Sequence, residues 1–149
     1  MGGQVTIYRY GLLAWFWRVL IAVFFVIGGP GLLFGARNGS LLLVFGAMAL
    51  LAPALFFGTV LAVRVDRLDD GQLRVWTLLF WRRHIPPGQL GLSRLRESYE
   101  GEYGPMYAPR LWVRVRRRLP IYLDLLATIP DRRAFAEVFR VPISRLPGR

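Results

Sequence analysis

Apolar residues divide the chain into two runs of membrane-spanning length, followed by shorter alternating segments. Residues 10–34 contain a single charge, Arg18, and residues 41–63 contain none. A helix needs about 20 apolar residues to cross the hydrocarbon core of a bilayer. Because no water is present in lipid to satisfy the backbone, a run of this length must be helical there. With only the polar residues 35–40 between the runs, the pattern predicts a helical hairpin that crosses the membrane twice.

The arginines predict how this hairpin is oriented. Arg9 and Arg18 flank the start of the first helix, and Arg64 and Arg67 follow the second, whereas the connecting link carries only Arg37. Positively charged flanks of membrane helices stay on the cytoplasmic side. We therefore expect a two-pass protein of the bacterial inner (cytoplasmic) membrane with both termini in the cytoplasm.

Arg18 is the one charge within the apolar runs. A charge at membrane depth is costly and often functional. Arg18 lies about two helical turns from the start of its run, so its long side chain can reach the cytoplasmic lipid headgroups. We favour this position over a buried ion pair. The polar lead before the run, residues 1–9, includes Val5, Ile7 and Tyr8, which can lie in the headgroup region.

Small residues recur at four-residue spacing in both runs. Ala54, Gly58 and Ala62 form one such series, and Gly31 and Gly35 form another. Small residues at this spacing let two helices approach closely. We favour contact between the two helices of the hairpin itself, and docking to a helix of a partner is the alternative.

Glycine and proline also interrupt the two runs. Residues 28–31 read Gly-Gly-Pro-Gly, and Pro53 lies within the second run. Proline removes a backbone donor and clashes with the preceding turn. The first helix is therefore predicted to kink or to unwind early at Pro30, and the second to kink at Pro53.

Beyond residue 63 the period changes to that of β-strands. Asp69, Asp70 and Gly71 separate two apolar-rich runs, as in a tight hairpin. Further strands are predicted over residues 78–85 and 90–97. Asp66, Asp69 and Asp70 could suggest a cation site, but turn chemistry accounts for the last two, and we predict no metal site.

The last third of the chain predicts an antiparallel strand pair and a helix. Residues 111–116 and 121–125 alternate between apolar and polar, which indicates one buried face. Residues 131–140 carry a helical apolar stripe that begins at Asp131. The exposed face of the strand pair carries four arginines, for which the anionic lipid headgroups of the cytoplasmic leaflet are a candidate target: Arg114, Arg116, Arg117 and Arg118.

The segment over residues 100–109 interrupts the strand pattern and is predicted to be a loop. With its flanks it is rich in acids and tyrosines, including Glu100 and Glu102 together with Tyr99, Tyr103 and Tyr107. Aromatic residues are enriched in interface cores. This segment is the candidate partner-recognition loop, and a solvated strand connection is the equal alternative.

Two stretches carry a resemblance to a known family. Residues 67–75 read RLDDGQLRV and are followed by RRHIP at residues 82–86. This resembles the opening of bacterial pleckstrin-homology-like (PH-like) domains that occur next to transmembrane hairpins. Residues 122–125, YLDL, with residues 129–135, resemble the last strand and terminal helix of that family. The resemblance covers residues 61–142 and implies an architecture, since relatives of this kind include assembly factors for membrane complexes and a fold carries no function by itself.

Composition argues against most catalytic and nucleic-acid functions. The chain has no cysteine and one histidine, His84, which lies in an arginine-rich strand. No nucleophile or phosphate-loop motif is present, so we predict no catalytic residue, no cofactor and no enzyme. The net charge of +11 would suit nucleic acid, but the membrane anchor and the lack of a reading helix argue against that partner.

The sequence therefore predicts an α+β membrane protein. A lead and transmembrane hairpin occupy residues 1–63, and a small antiparallel PH-like β domain with a C-terminal helix occupies residues 64–149. Two functions remain open. The first is a non-catalytic accessory or assembly subunit of a larger energy-transducing (respiratory or photosynthetic) complex with integral membrane partners, which would dock through Ala54, Gly58, Ala62 and the tyrosine-rich segment. The second is a module that binds anionic lipid through Arg18, Arg64 and the exposed arginine face.

Overall fold

The computed structural model describes residues 4–101 and 104–146, with backbone only for residues 97–101 and 104–108. Seven strands, two long helices and one short helix make up this part of the chain. In chain order they are β1 (Gln4–Arg9), α1 (Leu12–Arg37), α2 (Leu41–Val60), β2 (Ala62–Leu68), β3 (Leu73–Thr77), β4 (Arg82–Ile85), β5 (Leu90–Gly101), β6 (Gly104–Val115), β7 (Ile121–Asp124) and α3 (Arg132–Phe139).

The strands form two antiparallel sheets. The first has the order β1-β2-β3-β4 and the second has the order β5-β6-β7. Their inner faces, together with Phe135 and Phe139 of α3, form one fully buried apolar core. The α+β layout, with two long apolar helices, antiparallel sheets and a C-terminal helix, is thus confirmed. We refer to the two sheets and α3 together as the β unit.

The first strand was missed by the sequence pattern. β1 precedes the hairpin and pairs with β2 after it, from Gln4 opposite Leu68 to Arg9 opposite Arg64. The hairpin is therefore an insertion between the first two strands. Ile7 and Tyr8 are fully buried in the core, so their expected position among lipid headgroups is wrong. A register shift between Thr6 and Tyr8 interrupts the two-residue period, which explains why the strand is hard to recognise.

The two helices pack through the glycines of α1. A Cβ added at Gly28 would lie 2.9 Å from Leu51 Cγ, and one added at Gly35 would lie 2.9 Å from Leu43 Cβ. Gly31 faces Ala47. The expected contact between the hairpin's own helices is therefore present, and it uses glycines three and four residues apart on one face of α1.

The three residues of the predicted small-residue series on the second helix lie in three different environments. Ala54 is buried on α2. Gly58 receives the side chain of Leu79, since an added Cβ would lie 2.5 Å from Leu79 Cγ. Ala62 is not on the helix, because α2 ends at Val60 and Ala62 begins β2. The three residues therefore do not share one helical face, and docking to a partner through them stays a prediction.

Both helices continue through their prolines. α1 runs through Pro30 and α2 runs through Pro53, so early unwinding at Pro30 is wrong, and the kinks expected at both prolines stay predictions. Each helix is long and apolar enough to cross a membrane, and only 17% of its most apolar window is buried. Most of the hairpin's apolar surface is therefore not covered by the rest of the described protein.

The hairpin joins the β unit without a linker. Tyr10 N donates to Val63 O at 2.7 Å, and Leu78 N donates to Leu61 O at 3.0 Å. Arg9 and Thr128 exchange both backbone hydrogen bonds, at 2.9 and 3.0 Å. Because the strands continue directly into both helices, the β unit and the hairpin are hydrogen-bonded to each other at their junction.

Two further strand predictions need correction. Leu78 to Trp81 form a turn rather than the start of a strand, and β4 begins at Arg82. The predicted loop over residues 100–109 is mostly extended, since β5 runs to Gly101 and β6 starts at Gly104.

The C-terminal helix agrees closely with its prediction, and Asp131 Oδ1 accepts the Ala134 N–H at 2.9 Å as its N-cap.

The glycine contact between the helices gives a first prediction. Gly35→Val should destabilise the hairpin by about 1–3 kcal/mol, because its side chain would overlap Leu43 and the backbone of Val44. Thermal unfolding followed by circular dichroism in detergent measures this. Gly46→Val is the matched control, since no atom lies within 4 Å of a Cβ added there. Equal melting temperatures for the two variants would contradict the assigned interface.

Candidate functional site

The end of the β unit next to the helices carries a row of basic and aromatic residues. Strand register places Arg9 opposite Arg64, Arg64 opposite Trp76, and Trp76 opposite Arg82. Arg9, Arg64 and Arg82 are exposed. We call this row the membrane-proximal edge, because β1 leads directly into α1 and β2 follows directly after α2, the two helices that are predicted to cross the membrane.

Arg18 points back toward this edge. Its Nε donates to Leu78 O at 3.2 Å, and its guanidinium carbon lies 4.1 Å from the ring centroid of Phe80. A cation over an aromatic face is favourable. The side chain therefore contacts the β3–β4 turn, and its contact with lipid headgroups remains a prediction.

Arg64 is held by a buried carboxylate. Asp66 has a fully buried side chain and accepts from Arg64 Nε and Thr6 Oγ1, both at 2.7 Å. Its other oxygen accepts from Gln4 Nε2 at 2.7 Å, and Gln4 Oε1 accepts from Arg74 Nη1 at 3.0 Å. The network joins β1, β2 and β3 on the outer face of their sheet. Arg64, predicted to meet lipid, uses its Nε for this network while half of its side chain stays exposed.

Residues 114–118, which end β6 and begin the connection to β7, form what we call the arginine turn. Arg114, Arg116, Arg117 and Arg118 are all exposed there. Arg118 Nη1 donates to His84 O at 2.7 Å. The turn borders an open groove of about 720 Å³ that is also lined by Gly88, Gln89 and Leu119. The structure thus brings the four predicted arginines together.

Arg83 attaches the two residues that follow the arginine turn to β4. Its guanidinium donates to the carbonyls of Leu119 and Pro120. Partial burial, and to a lesser degree the charge of Arg118, lower the pKa of Arg83. Arg83 was not singled out from the sequence, because nothing local shows that a strand arginine will bond to carbonyls 36 and 37 residues away.

The arginine turn lies to one side of the membrane-proximal edge. Its contact on β4, His84, is two residues beyond Arg82, or about 7 Å along a strand. Arg116 N donates to Gln89 O, beyond the far end of β4. Arg9, Arg64 and Arg82 are therefore nearer the helices than the arginine turn, so of the arginines predicted to bind lipid Arg64 lies at this edge and the four of the turn do not.

Hydroxyl groups fasten the base of the hairpin to β7. Tyr8 Oη donates to Asp124 O at 3.0 Å, and Tyr10 Oη donates to Asp124 Oδ2 at 3.2 Å. Burial, and then the charge of Asp124, raise the pKa of Tyr8 well above its usual value. The Tyr8 hydroxyl therefore stays protonated, and so remains a donor, even in alkaline solution where an ordinary tyrosine begins to ionise.

The tyrosine-rich segment forms the end of the β5–β6 strand pair, which we call the arm. Backbone pairing runs from Ser98 opposite Tyr107, through Tyr99 opposite Met106 and Glu100 opposite Pro105, to Gly101 opposite Gly104. Glu102 and Tyr103 lie outside the described residues. β7 pairs with β6 only over Arg110 to Val113, so among the described strands the arm has no third strand.

Two features next to the hairpin were missed by sequence reasoning. Phe80 and Trp81 are largely exposed in the β3–β4 turn, directly before Arg82. An aromatic pair beside an arginine, close in the fold to a membrane helix, is typical of the lipid interface. The signal was present, but the residues had been assigned to a strand.

The described residues offer little for metal or acid–base chemistry. We find no three His, Asp or Glu side chains close enough to hold one metal ion among the side chains described in residues 4–101 and 104–146. His84 Nε2 accepts from Arg82 Nε at 3.0 Å. Asp70 Oδ1 accepts from Gln72 N at 3.0 Å, which is turn chemistry as expected.

Comparison with known proteins adds no family assignment. No protein-family model matches the sequence, and no curated protein matches it either.

The Asp66 network gives a second prediction. Asp66→Asn should lower the stability of the β unit by about 2–3 kcal/mol, because an amide N–H₂ would face donors that now bond to a carboxylate. Thermal unfolding in detergent measures the loss. Asp69→Asn, which removes the same charge at an exposed position of the β2–β3 turn, should leave the melting temperature unchanged. A similar loss in both variants would show that charge, and not the buried network, is responsible.

Proposed function

We propose that this protein is a non-catalytic accessory or assembly subunit of a larger bacterial membrane complex. The hairpin spans the inner membrane, and the β unit is a PH-like domain on the cytoplasmic side that docks to partner subunits. Following the resemblance of residues 61–142 to domains of membrane-complex assembly factors, we expect the complex to be an energy-transducing one.

The observation that carries this proposal is the direct junction between the hairpin and the β unit. Hydrogen bonds from Tyr10 to Val63, Leu78 to Leu61 and Arg9 to Thr128 leave no flexible linker between them. A tethered enzyme or lipid sensor gains reach from a linker. An accessory subunit that holds one surface at a fixed height above the bilayer requires a short, hydrogen-bonded connection of this kind.

The β5–β6 arm is the surface that such a subunit would present to its partner. An isolated two-stranded ribbon is marginally stable in water, and an unpaired strand edge can accept a partner's strand. The base of the arm is tied to the hairpin, because Leu125 N donates to Pro109 O and Thr128, three residues later, pairs with Arg9. The junction therefore sets the position of the arm's base relative to the start of α1.

Lipid-headgroup binding through the arginine turn has less support. The turn lies beside β4 rather than at the membrane-proximal edge, and Arg118 is already bonded to the carbonyl of His84. We therefore assign the exposed Arg114 and Arg116 to the sides of the β unit, where an acidic protein surface can reach them.

Purification from native membranes tests the proposal. Full-length protein, extracted in mild detergent, should carry a stoichiometric set of membrane subunits that mass spectrometry identifies. Replacing residues 98–107 by an Asn-Gly turn shortens the arm and should abolish co-purification without unfolding the core. Arg133→Gln, at an exposed position of α3 away from the arm and the arginine turn, serves as the surface control and should retain the principal partner. Recovery of the wild-type protein alone would overturn the proposal.

A further inference from the structure

The β3–β4 turn exposes two large aromatic side chains on a strained backbone. Phe80 is 69% exposed and Trp81 is 62% exposed. Thr77 N donates to Trp81 O at 2.9 Å and closes the turn. Phe80 has φ +63°, a left-handed conformation that turns of this kind usually give to glycine or asparagine. A bulky exposed aromatic at such a position is costly and adds nothing to the core.

This turn packs against the hairpin rather than projecting into solvent from the β unit. Leu79 fills the space above Gly58 of α2, and Leu79 N donates to Gly58 O at 3.0 Å. On the other side, Arg18 of α1 bonds to Leu78 O and covers the ring of Phe80. The turn is therefore held against both helices.

Helix register gives the level of the turn relative to the bilayer. Gly35 lies beside Val44, and Gly28 lies beside Leu51. Continuing this antiparallel register brings Arg18 level with Leu61, where α2 ends. α2 has 20 residues, so Arg18 and Phe80 lie about 30 Å from the hairpin tip. This distance is about the thickness of the hydrocarbon core of a bilayer.

We infer that the β3–β4 turn is a third membrane contact, in which Phe80 and Trp81 insert at the boundary between lipid headgroups and acyl chains. The inference rests on the proposed membrane-spanning hairpin and goes beyond it. Aromatic rings favour this layer, and Arg18 and Arg82 beside them supply cations for lipid phosphates. The bilayer itself covers this surface, since the turn is continuous with the apolar surface of the hairpin. Together with the two helices, the turn fixes the β unit at the membrane surface at three points.

The absence of cysteine from the chain permits a direct test. Trp81→Cys introduces a single thiol for a nitroxide spin label, and the full-length protein is reconstituted in phosphatidylcholine–phosphatidylglycerol vesicles. Collisions with oxygen, which concentrates in lipid, are compared with collisions with a water-soluble nickel complex. Val26→Cys, in the middle of α1, and Leu92→Cys, on β5, are the membrane and water controls, and both native side chains are exposed.

The expected result is a Trp81→Cys label that is more accessible to oxygen than to nickel, at a depth between those of the two controls. A label as accessible to nickel as Leu92→Cys, while Val26→Cys remains deep, would overturn the inference and leave the hairpin intact. A water-accessible label at Val26→Cys would instead overturn the membrane-spanning proposal on which the inference rests.

A glycine substitution separates insertion from backbone strain. Phe80→Gly relieves the left-handed strain, so the melting temperature should stay the same or rise. In the labelled Trp81→Cys background it should nevertheless shift the label toward water. Arg117 also has a left-handed backbone, with φ +59°, but it lies in the arginine turn, and Arg117→Gly is the matched control that should leave the label's depth unchanged. An unchanged depth in Phe80→Gly would refute insertion of Phe80.

Discussion

The pairing of β1 with β2 is the constraint on which the rest of this structure depends. These strands flank the hairpin in sequence, so their hydrogen bonds bring the two helix ends together. The helices then have to run side by side, and the glycines of α1 allow close contact along their length. The same pairing joins the hairpin to the β unit directly. A hairpin attached through one end only would leave the orientation of the β unit undefined.

Buried polar groups at this junction explain how an apolar hairpin and a charged β unit meet. Asp66 connects β1 to β2 and holds Arg64, while Asp124 accepts the Tyr8 hydroxyl at its backbone carbonyl and the Tyr10 hydroxyl at its carboxylate. A buried carboxylate is costly unless it is fully hydrogen-bonded. The fully buried Asp66 therefore favours one arrangement of its strands, and the half-buried Asp124 adds hydrogen bonds that only this arrangement allows.

The distribution of arginine and aromatic residues follows from this rigid arrangement. Arg9, Arg64 and Arg82 lie along the edge from which the helices leave, whereas the arginine turn lies beside β4. Phe80 keeps a strained backbone where a glycine would be free of strain, and it stacks on Arg18 at the level where α2 ends. Strain retained at an exposed aromatic points to a functional role, and the proposed insertion at the lipid interface would supply one because aromatic rings are stabilised there.

The sequence by itself determined the features that arise from local physics. Apolar length defined the two helices, Asp70 and Gly71 marked a turn, and Asp131 capped α3, because each depends on neighbours within a few residues. Only the tertiary structure decided the pairing of β1 with a strand some 60 residues away, the turn at Leu78 to Trp81, and the extended arm. The register shift concealed β1 from the two-residue pattern. Strand pairing is also non-local, so its contribution to stability cannot be read from any short stretch of sequence. The location of the arginine turn likewise depended on Arg83 bonding to Leu119 and Pro120, a contact that exists only after the two sheets have packed.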